Sequence, residues 1–291
     1  MFYDKANMRP LIGGHVSASG GAWKAFENAE RIDAEAIQMF GASPQSWSFV
    51  MPSAETIQKF RDAWQKSRVK QVYLHAAYLV NLASPDAEMR KKSIVNLAGH
   101  LAIASALRTD GLIFHVGSGK NSITKEEALN AAATGISEVL NNVPGETKLI
   151  IENAAGGGDK VGSDPETIGA LMRLVNSQRI RVCIDTAHAF EAGLIERYEP
   201  NELNSFLDGW NKEVGLENIV ALHMNDSKTA FNSRHDRHEN IGEGHIGLSG
   251  FKNLAKEERL HHAAWILEVP GFEGTGPDQK NIEILKSCFA S

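Results

Sequence analysis

Short runs of hydrophobic residues alternate along the chain with longer stretches in which apolar side chains recur at helical spacing. Each short run covers about five residues, which suits strands that are buried on both faces of a parallel sheet. The predicted strands are Leu11–His15, Ala36–Phe40, Gln71–His75, Gly111–His115, Lys148–Glu152, Arg181–Asp185, Ile219–His223 and Ala264–Glu268.

Amphipathic segments between these runs predict helices, and some begin at capping residues such as Ser53 or the pair Ser163 and Asp164. The predicted helices are Ala22–Arg31, Ala54–Lys66, Asp86–Leu107, Lys125–Leu140, Pro165–Val175, Asn201–Val214 and Asn281–Phe289. A repeated strand–helix order predicts parallel strands joined by right-handed crossovers. We find no linker or compositional break, so the 291 residues predict an α/β fold that is a single (β/α)8 TIM barrel over residues 1–291.

Composition narrows the class of protein. The hydrophobic fraction of 42% and the charged fraction of 23% exclude a largely disordered chain. The two cysteines, Cys183 and Cys288, argue against a disulfide framework and against a cysteine-based zinc knuckle. Because no targeting leader or bilayer-length apolar run is found, we expect a cytoplasmic protein without membrane contact. The formal net charge of −6 gives no sign of a basic nucleic-acid surface.

The residues that end the predicted strands carry the chemical signal. Seven of these eight ends can bind a metal ion or move a proton; in chain order the ends are His15, Phe40, His75, His115, Glu152, Asp185, His223 and Glu268. His15 is the weakest candidate, because Gly13 and Gly14 before it could form a turn.

From His75 onward these ends are 33 to 45 residues apart, which is one strand–helix unit each. All strands of a parallel barrel end on one face, where active sites lie, so we expect the side chains to converge. A single His or Asp at a strand end is more often an ordinary polar group. Six such residues at corresponding strand ends favour a shared site.

Three further donors belong to the same set. His188 follows Asp185 by three residues, so a helical turn there would aim both at one cavity. Asp236 and His238 alternate, so an extended loop would point both to one side. For this last pair alone, a solvated polar loop is the alternative interpretation.

The predicted donors number nine: His75, His115, Glu152, Asp185, His188, His223, Asp236, His238 and Glu268. One Zn²⁺ takes about four ligands, so the set is too large for a single ion and fits three with bridging carboxylates. Imidazole and carboxylate groups suit Zn²⁺, with Mn²⁺ or Fe²⁺ as alternatives at one or more sites. Three divalent ions would offset the charge of −6 and make the local field positive.

Clustered divalent ions are typical of phosphoryl chemistry, in which a water is activated and held in line with phosphorus. Glu152 lies midway among the donors, so we expect it to bridge two ions. Glu268 is the candidate that binds a metal and orients the attacking water, although a role as a pure ligand fits the pattern equally well.

These residues and their neighbours resemble endonuclease IV, the metal-dependent apurinic/apyrimidinic endonuclease family of DNA repair. The resemblance extends from about residue 12 to 270, and its strongest motifs surround Asp185 and His223. The matching stretches are Gly14–Gly21, His75–Leu82, Phe114–Ser118, Ile151–Gly156, Cys183–Phe190, His223–Lys228, Asp236–His238, Gly242–Gly247 and Leu267–Glu268.

The resemblance implies a xylose isomerase-like TIM barrel with three metal ions, commonly zinc. It implies that His75, His115 and Glu152 bind the first ion, and that His188, Asp236 and His238 bind the third. The second ion would be shared by Glu152 and held by Asp185, His223 and Glu268.

The activity implied is hydrolysis 5′ to an abasic site in double-stranded DNA, as in base excision repair, leaving a 3′-hydroxyl and a 5′-deoxyribose phosphate. Processing of blocked 3′ ends is a further family activity, and we expect a monomer.

One loop departs from the family pattern. The family tends to carry an Arg that inserts into DNA, whereas this chain has Gln45 within Ser43–Trp47. Gln45 can still hydrogen-bond to a base edge, but it lacks the charge of Arg, and a plain surface role is the alternative. The family's other wedge residue, Tyr78, is present. Lys228 and Arg237 flank metal ligands and are candidate phosphate contacts, with ordinary solvated charges as the alternative.

Two other functions fit parts of the pattern. A sugar isomerase or epimerase of the xylose isomerase-like barrels would use one or two metals and would not need His188, Asp236 and His238. A non-catalytic module would bind damaged DNA without turnover. Metal content measured together with incision of an abasic oligonucleotide separates the three.

Overall fold

The computed structural model describes residues 9–120 and 122–290, and within these ranges eight parallel strands close into a barrel. The barrel strands are β1 (Ile12–His15), β2 (Ala36–Phe40), β3 (Gln71–His75), β4 (Gly111–Phe114), β5 (Lys148–Glu152), β6 (Ile180–Asp185), β7 (Ile219–His223) and β10 (Ala264–Leu267). Two short strands, β8 (Asp226–Ser227) and β9 (His238–Glu239), lie outside the barrel. β1 pairs with both β2 and β10, which closes the sheet, while β8 and β9 form a separate antiparallel hairpin. The predicted barrel is therefore confirmed.

Helices cover the outside of the barrel, and several begin where the sequence predicts a cap. They are α1 (Lys24–Arg31), α2 (Ala54–Lys66), α3 (Ala87–Leu107), α4 (Lys125–Asn142), α5 (Pro165–Val175), α6 (Thr186–Glu191), α7 (Pro200–Glu213), α8 (Gly247–Leu254) and α9 (Gln279–Ser287), with 3₁₀ turns at Leu216–Asn218 and Glu258–Leu260. Ser53 caps α2 by accepting from the Thr56 amide, and Asp164, not Ser163, caps α5. These side chains satisfy amides that the first helical turn leaves unpaired.

The structure differs from the sequence prediction at a few boundaries. β4 and β10 end one residue early, so His115 and Glu268 follow the strands instead of ending them. Helix α8 was not predicted, because Gly247 and Gly250 give it little intrinsic helix propensity. A distant carboxylate stabilises its start instead: Asp226 accepts hydrogen bonds from the amides of Ile246 and Gly247 at 2.9 and 3.1 Å.

The inside of the barrel has two layers of opposite character. The lower layer is apolar and is separate from the core beneath the helices; it consists of Ala36, Tyr73, Ile113, Ile150, Cys183, Ala221, Ala264 and Ile266. Residues two positions apart in a strand point to the same side. The upper layer therefore lies two positions further along and consists of His15, Gln38, His75, His115, Glu152, Asp185, His223 and Glu268. Strand geometry thus brings the predicted donors together above an apolar floor.

Two further sequence expectations can be compared with this fold. Cys183 and Cys288 are buried and form no disulfide, and burial raises the pKa of the Cys183 thiol to about 11. Cys183 therefore serves as a small apolar side chain of the lower layer. Among the described helices, none combines the length and apolarity needed to cross a bilayer.

Candidate metal centre

The first group of donors surrounds one oxygen of a buried carboxylate. Glu152 ends β5, and its Oε2 lies 3.1 Å from Nε2 of His75 and 3.4 Å from Nε2 of His115. His75 and Glu152 are buried, while the side chain of His115 is 31% exposed at the mouth of the barrel. The three donors converge although they come from three different strand–helix units.

The second group surrounds the other oxygen of Glu152. Nδ1 of His223 lies 3.0 Å from Glu152 Oε1, 3.1 Å from Glu268 Oε2 and 3.9 Å from Asp185 Oδ2. The register of β6 and β7 explains part of this arrangement, because it pairs Asp185 directly with His223. Glu152 therefore faces two groups of donors with two different oxygens.

The third group joins α6 to the β8–β9 hairpin. Nε2 of His188 lies 3.2 Å from Asp236 Oδ2 and 3.4 Å from Nε2 of His238. His188 reaches this position because Asp185 caps α6, accepting from the His188 amide at 2.8 Å. The structure thus brings all nine predicted donors into one connected cluster, in which the groups around Glu152 and His188 satisfy the spacing of metal ligands.

The hydrogen bonds of three histidines show that the cluster suits cations. Nδ1 lies near a backbone carbonyl in His75 (2.8 Å), His188 (3.0 Å) and His238 (3.3 Å). A carbonyl can only accept, so Nδ1 carries the proton in each ring and Nε2 is the nitrogen that remains available to bind a cation. Two such nitrogens, those of His188 and His238, face one another beside carboxylate oxygens. Ligand histidines commonly have this arrangement, in which an outer carbonyl fixes the tautomer.

Gln38 supports the second group, although the residues at the strand ends do not point to it. Its Oε1 lies 2.8 Å from Nε2 of His223, so that nitrogen donates and Nδ1 of the ring remains available as a ligand. Its Nε2 donates to Glu268 Oε1 and also lies 2.9 Å from Nδ1 of His15. The strand end of β2 is Phe40, whereas the alternation of side chains within β2 places Gln38 inside the barrel.

Asn153 and Asn225 hold Asp185 in place, and both were also missed. Nδ2 of Asn225 donates to Asp185 Oδ2 at 2.7 Å, and its Oδ1 accepts from the Glu268 amide at 2.7 Å. Oδ1 of Asn153 accepts from the Asp185 amide at 2.6 Å. Both asparagines are fully buried one or two residues after a strand, a position that could have marked them as functional.

The charges of the cluster shift the pKa values of its members. Burial disfavours every charged form and lowers the pKa of His115 to about 4. At His188 burial is outweighed by Asp185 and Asp236, which raise the pKa well above its usual value. At Glu152 burial is outweighed by His115 and His223, which hold the pKa well below its usual value. Glu152 is therefore ionised, and a metal ion bound beside it would replace the proton of a charged imidazole such as His188.

The candidate DNA contacts lie above this cluster on the rim of the barrel mouth, which is the surface formed by Gln45, Tyr78, Lys228 and Arg237. A groove of about 1230 Å³ opens over it and is lined by Tyr78 and Arg237, but not by Gln45 or Lys228. Tyr78 is 64% exposed, and its ring packs edge-on against Phe40 at 5.4 Å between centroids. The Tyr78 amide donates to the Pro44 carbonyl, which places the exposed Gln45 loop beside it.

Lys228 and Arg237 lie together on the hairpin that carries the third group. The Lys228 amide donates to the Arg237 carbonyl at 2.9 Å, and both side chains are exposed. Lys228 forms a long ion pair of 3.8 Å with Glu239. Asp226 beneath them binds the amides of Gly242 and Gly244 at 3.0 and 3.1 Å. The hairpin and the Gly242–Gly247 loop are thereby held as one unit.

Comparison with known proteins gives a consistent result. A sequence profile of the xylose isomerase-like TIM barrel family matches residues 26–288. A relative from Halothermothrix orenii, named a probable endonuclease 4, is 34% identical over 280 residues, which cover 94% of this chain and 99% of that protein. The crystal structure of endonuclease IV from Thermus thermophilus aligns with a TM-score of 0.83 at 32% identity, covering 97% of this chain and 99% of that one.

A sugar-epimerase structure is also similar. A D-tagatose 3-epimerase-like protein aligns with a TM-score of 0.70 at 18% identity, covering 96% of this chain and 97% of that one. At this level of identity the likeness reflects the shared barrel alone.

Proposed function

The chain belongs to the endonuclease IV family of xylose isomerase-like TIM barrels, and on that premise we propose that it cleaves DNA on the 5′ side of abasic sites. The family expected from the motifs is confirmed, and with it an activity as a metal-dependent DNA repair endonuclease. The proposed products are a 3′-hydroxyl and a 5′-deoxyribose phosphate. Processing of blocked 3′ ends would use the same groups.

One observation carries the proposal: the two oxygens of buried Glu152 face two separate groups of imidazole and carboxylate donors. A carboxylate in this position can bridge two cations a few ångströms apart, which is the arrangement of many phosphodiesterases. A sugar isomerase would not need the third group, and the epimerase-like structure supports only the fold. The nuclease therefore remains the better-supported function.

We assign three metal ions to the three groups of donors. His75, His115 and Glu152 would hold the first, and Glu152, Asp185, His223 and Glu268 would hold the second. His188, Asp236 and His238 would hold the third. The donors suit Zn²⁺ best and also suit Mn²⁺ or Fe²⁺. When bound, such ions neutralise phosphate charge and lower the pKa of water.

Glu268 is the group that we propose to orient the attacking water. Its side chain is 18% exposed and lines the groove, unlike the deeper Glu152. Burial would raise its pKa, but His223 and His15 outweigh that effect and keep the carboxylate ionised. The Gln38 amide and His15 contact Oε1, whereas Oε2 faces His223. An ionised, fixed carboxylate at the cavity surface can accept a hydrogen bond from water or bind a metal.

The rim supplies the proposed contacts to DNA. Tyr78 presents an exposed aromatic ring beside the groove, and base–aromatic stacking contributes about 1–3 kcal/mol in other proteins. Arg237 lines the groove and Lys228 lies on the same hairpin, so both can reach phosphate oxygens. Gln45 would contribute a hydrogen bond without charge. Bound divalent ions would offset the net charge of −6 near the backbone phosphates.

We further propose that the protein acts as a monomer in the cytoplasm. All nine donors come from one chain, so no partner is needed to complete the cluster. Cys183 and Cys288 are buried and are not joined in a disulfide, which suits a reducing compartment.

The decisive test is Glu152→Gln in the metal-loaded enzyme. The amide keeps the shape of the side chain but removes the charge that both groups share, so we expect incision of an abasic duplex to fall by at least about 1,000-fold. The circular dichroism spectrum should be unchanged. Incision is measured on a 5′-labelled oligonucleotide duplex with one abasic analogue.

Glu126→Gln is the matched control, because it makes the same change on the exposed first turn of α4. Its incision rate should equal that of the unaltered enzyme. Retained cleavage by Glu152→Gln would overturn the proposal. So would ketose–aldose turnover by an unaltered enzyme that does not cut abasic DNA.

A further inference from the structure

A fifth acidic residue, in addition to the four among the nine predicted donors, lies beside the third group. Glu191 is the last residue of α6, one turn after His188, and its side chain is completely buried. Its Oε1 accepts three hydrogen bonds: from Ser227 Oγ at 2.7 Å, Thr229 Oγ1 at 3.2 Å and the Arg237 amide at 3.2 Å. One oxygen of Glu191 is thus fully used in holding the hairpin that carries Asp236 and His238.

The other oxygen, Oε2, is buried and has no hydrogen-bond partner among residues 9–120 and 122–290. Within the same ranges no lysine or arginine forms an ion pair with Glu191. Burying a carboxylate oxygen without a donor or counter-charge is costly, so such a group needs an explanation. Glu191 also places an oxygen within 4.8 Å of donor atoms of His188 and Asp236.

We propose that Glu191 is a fourth protein donor to the third metal ion, in addition to His188, Asp236 and His238. The inference rests on the proposed function, which assigns an ion to that group. Two imidazole nitrogens and two carboxylate oxygens satisfy the usual coordination number of Zn²⁺ and suit Mn²⁺ or Fe²⁺ as well. The cation would supply the partner that Oε2 lacks.

A fourth donor changes what the third site can do. Two carboxylates neutralise a divalent ion, whereas Asp236 alone would leave one positive charge. Four protein ligands also give a closed site, which typically holds its metal more firmly than an open one. Because Glu191 Oε1 anchors Ser227, Thr229 and Arg237, the same side chain would link metal retention to the position of the hairpin.

The test is Glu191→Gln, which keeps the volume and one acceptor oxygen for the three hydrogen bonds. Zinc content is measured after dialysis, and the affinity for the third ion by competition with a chromophoric chelator. We expect the affinity for the third ion to fall at least tenfold, while the other two ions are retained. The visible spectrum should also change when Co²⁺ fills the third site. Glu243→Gln, an exposed carboxylate nearby, is the control for the loss of one charge.

A second variant, Glu191→Asp, keeps the charge and should bind the third ion better than Glu191→Gln. If the unaltered protein binds three ions and Glu191→Gln does so with equal affinity and an equal Co²⁺ spectrum, Glu191 is only an anchor and the inference is wrong. Equal losses of affinity for the third ion in Glu191→Asp and Glu191→Gln would also overturn the inference. If the unaltered protein binds fewer than three ions, the assignment of the third site fails before Glu191 is considered.

Discussion

The lower layer of the barrel interior is fully buried and the upper layer is buried except at the barrel mouth, and the two layers serve opposite purposes. Ile150 and Glu152 stand two residues apart on β5, and Cys183 and Asp185 have the same relation on β6. The lower residues pack against one another, and removing their apolar surface from water favours folding. The upper residues bury charge, which disfavours folding unless each group finds a partner. One strand therefore contributes stability at one level and chemistry at the next.

The partners in the upper layer explain how the charges are tolerated. Glu152 contacts three histidines within 3.3 Å, and Gln38 connects His223, His15 and Glu268. The lower layer needs no such network, because it contains few polar atoms. The Tyr73 hydroxyl, for example, donates to a backbone carbonyl, that of Val220, at 3.2 Å. We therefore expect mutations in the two layers to separate stability from metal binding.

The largest effect is expected from Ile150→Ala in the lower layer. Shortening this side chain leaves a cavity in the packed floor, which should lower the free energy of unfolding by about 2–5 kcal/mol. The metal content and the incision rate of the folded fraction should not change. Chemical denaturation and metal analysis measure the two quantities on the same sample. A stable Ile150→Ala protein that had lost its metal would show that the layers are not independent.

A smaller effect is expected from Gln38→Leu in the upper layer. The change removes the acceptor that fixes the His223 tautomer and the donor to Glu268, and loss of such outer contacts typically lowers metal affinity 10–100-fold. Incision should fall with it, while the midpoint of denaturation changes little. Gln71→Leu is the matched control, because Gln71 begins β3 at the opposite end of the barrel. Equal metal affinity in the two variants would contradict the role assigned to Gln38.

The smallest effect is expected on the rim, outside both layers. Gln45→Arg adds a cation beside the groove, so affinity for an abasic duplex should rise by up to about tenfold. The slope of log affinity against log salt concentration should steepen by about one. Gln65→Arg on the exposed face of α2 adds the same charge elsewhere and should leave the slope unchanged. If the slopes of both variants match that of the unaltered protein, the Gln45 loop does not touch DNA.

Local patterns in the sequence were sufficient to predict the barrel and the nine donors that converge at its mouth. Five-residue apolar runs separated by amphipathic helices allow few other folds, because strands buried on both faces must be covered by helices. The donors at the strand ends could be predicted because a parallel barrel directs all its strand ends to one face. These inferences require only the order and spacing of residues such as His75, Glu152 and His223.

Which side chains meet was decided only by tertiary structure. Gln38 lies at the centre of the second group, while the strand end Phe40 lies above it, because barrel register sets the height of each residue. The first amides of helix α8 are paired with Asp226, about 20 residues earlier in the chain. Glu191 approaches Asp236 only because the hairpin folds back onto α6. Such contacts depend on loop closure between distant segments, and short-range periodicity carries no information about them.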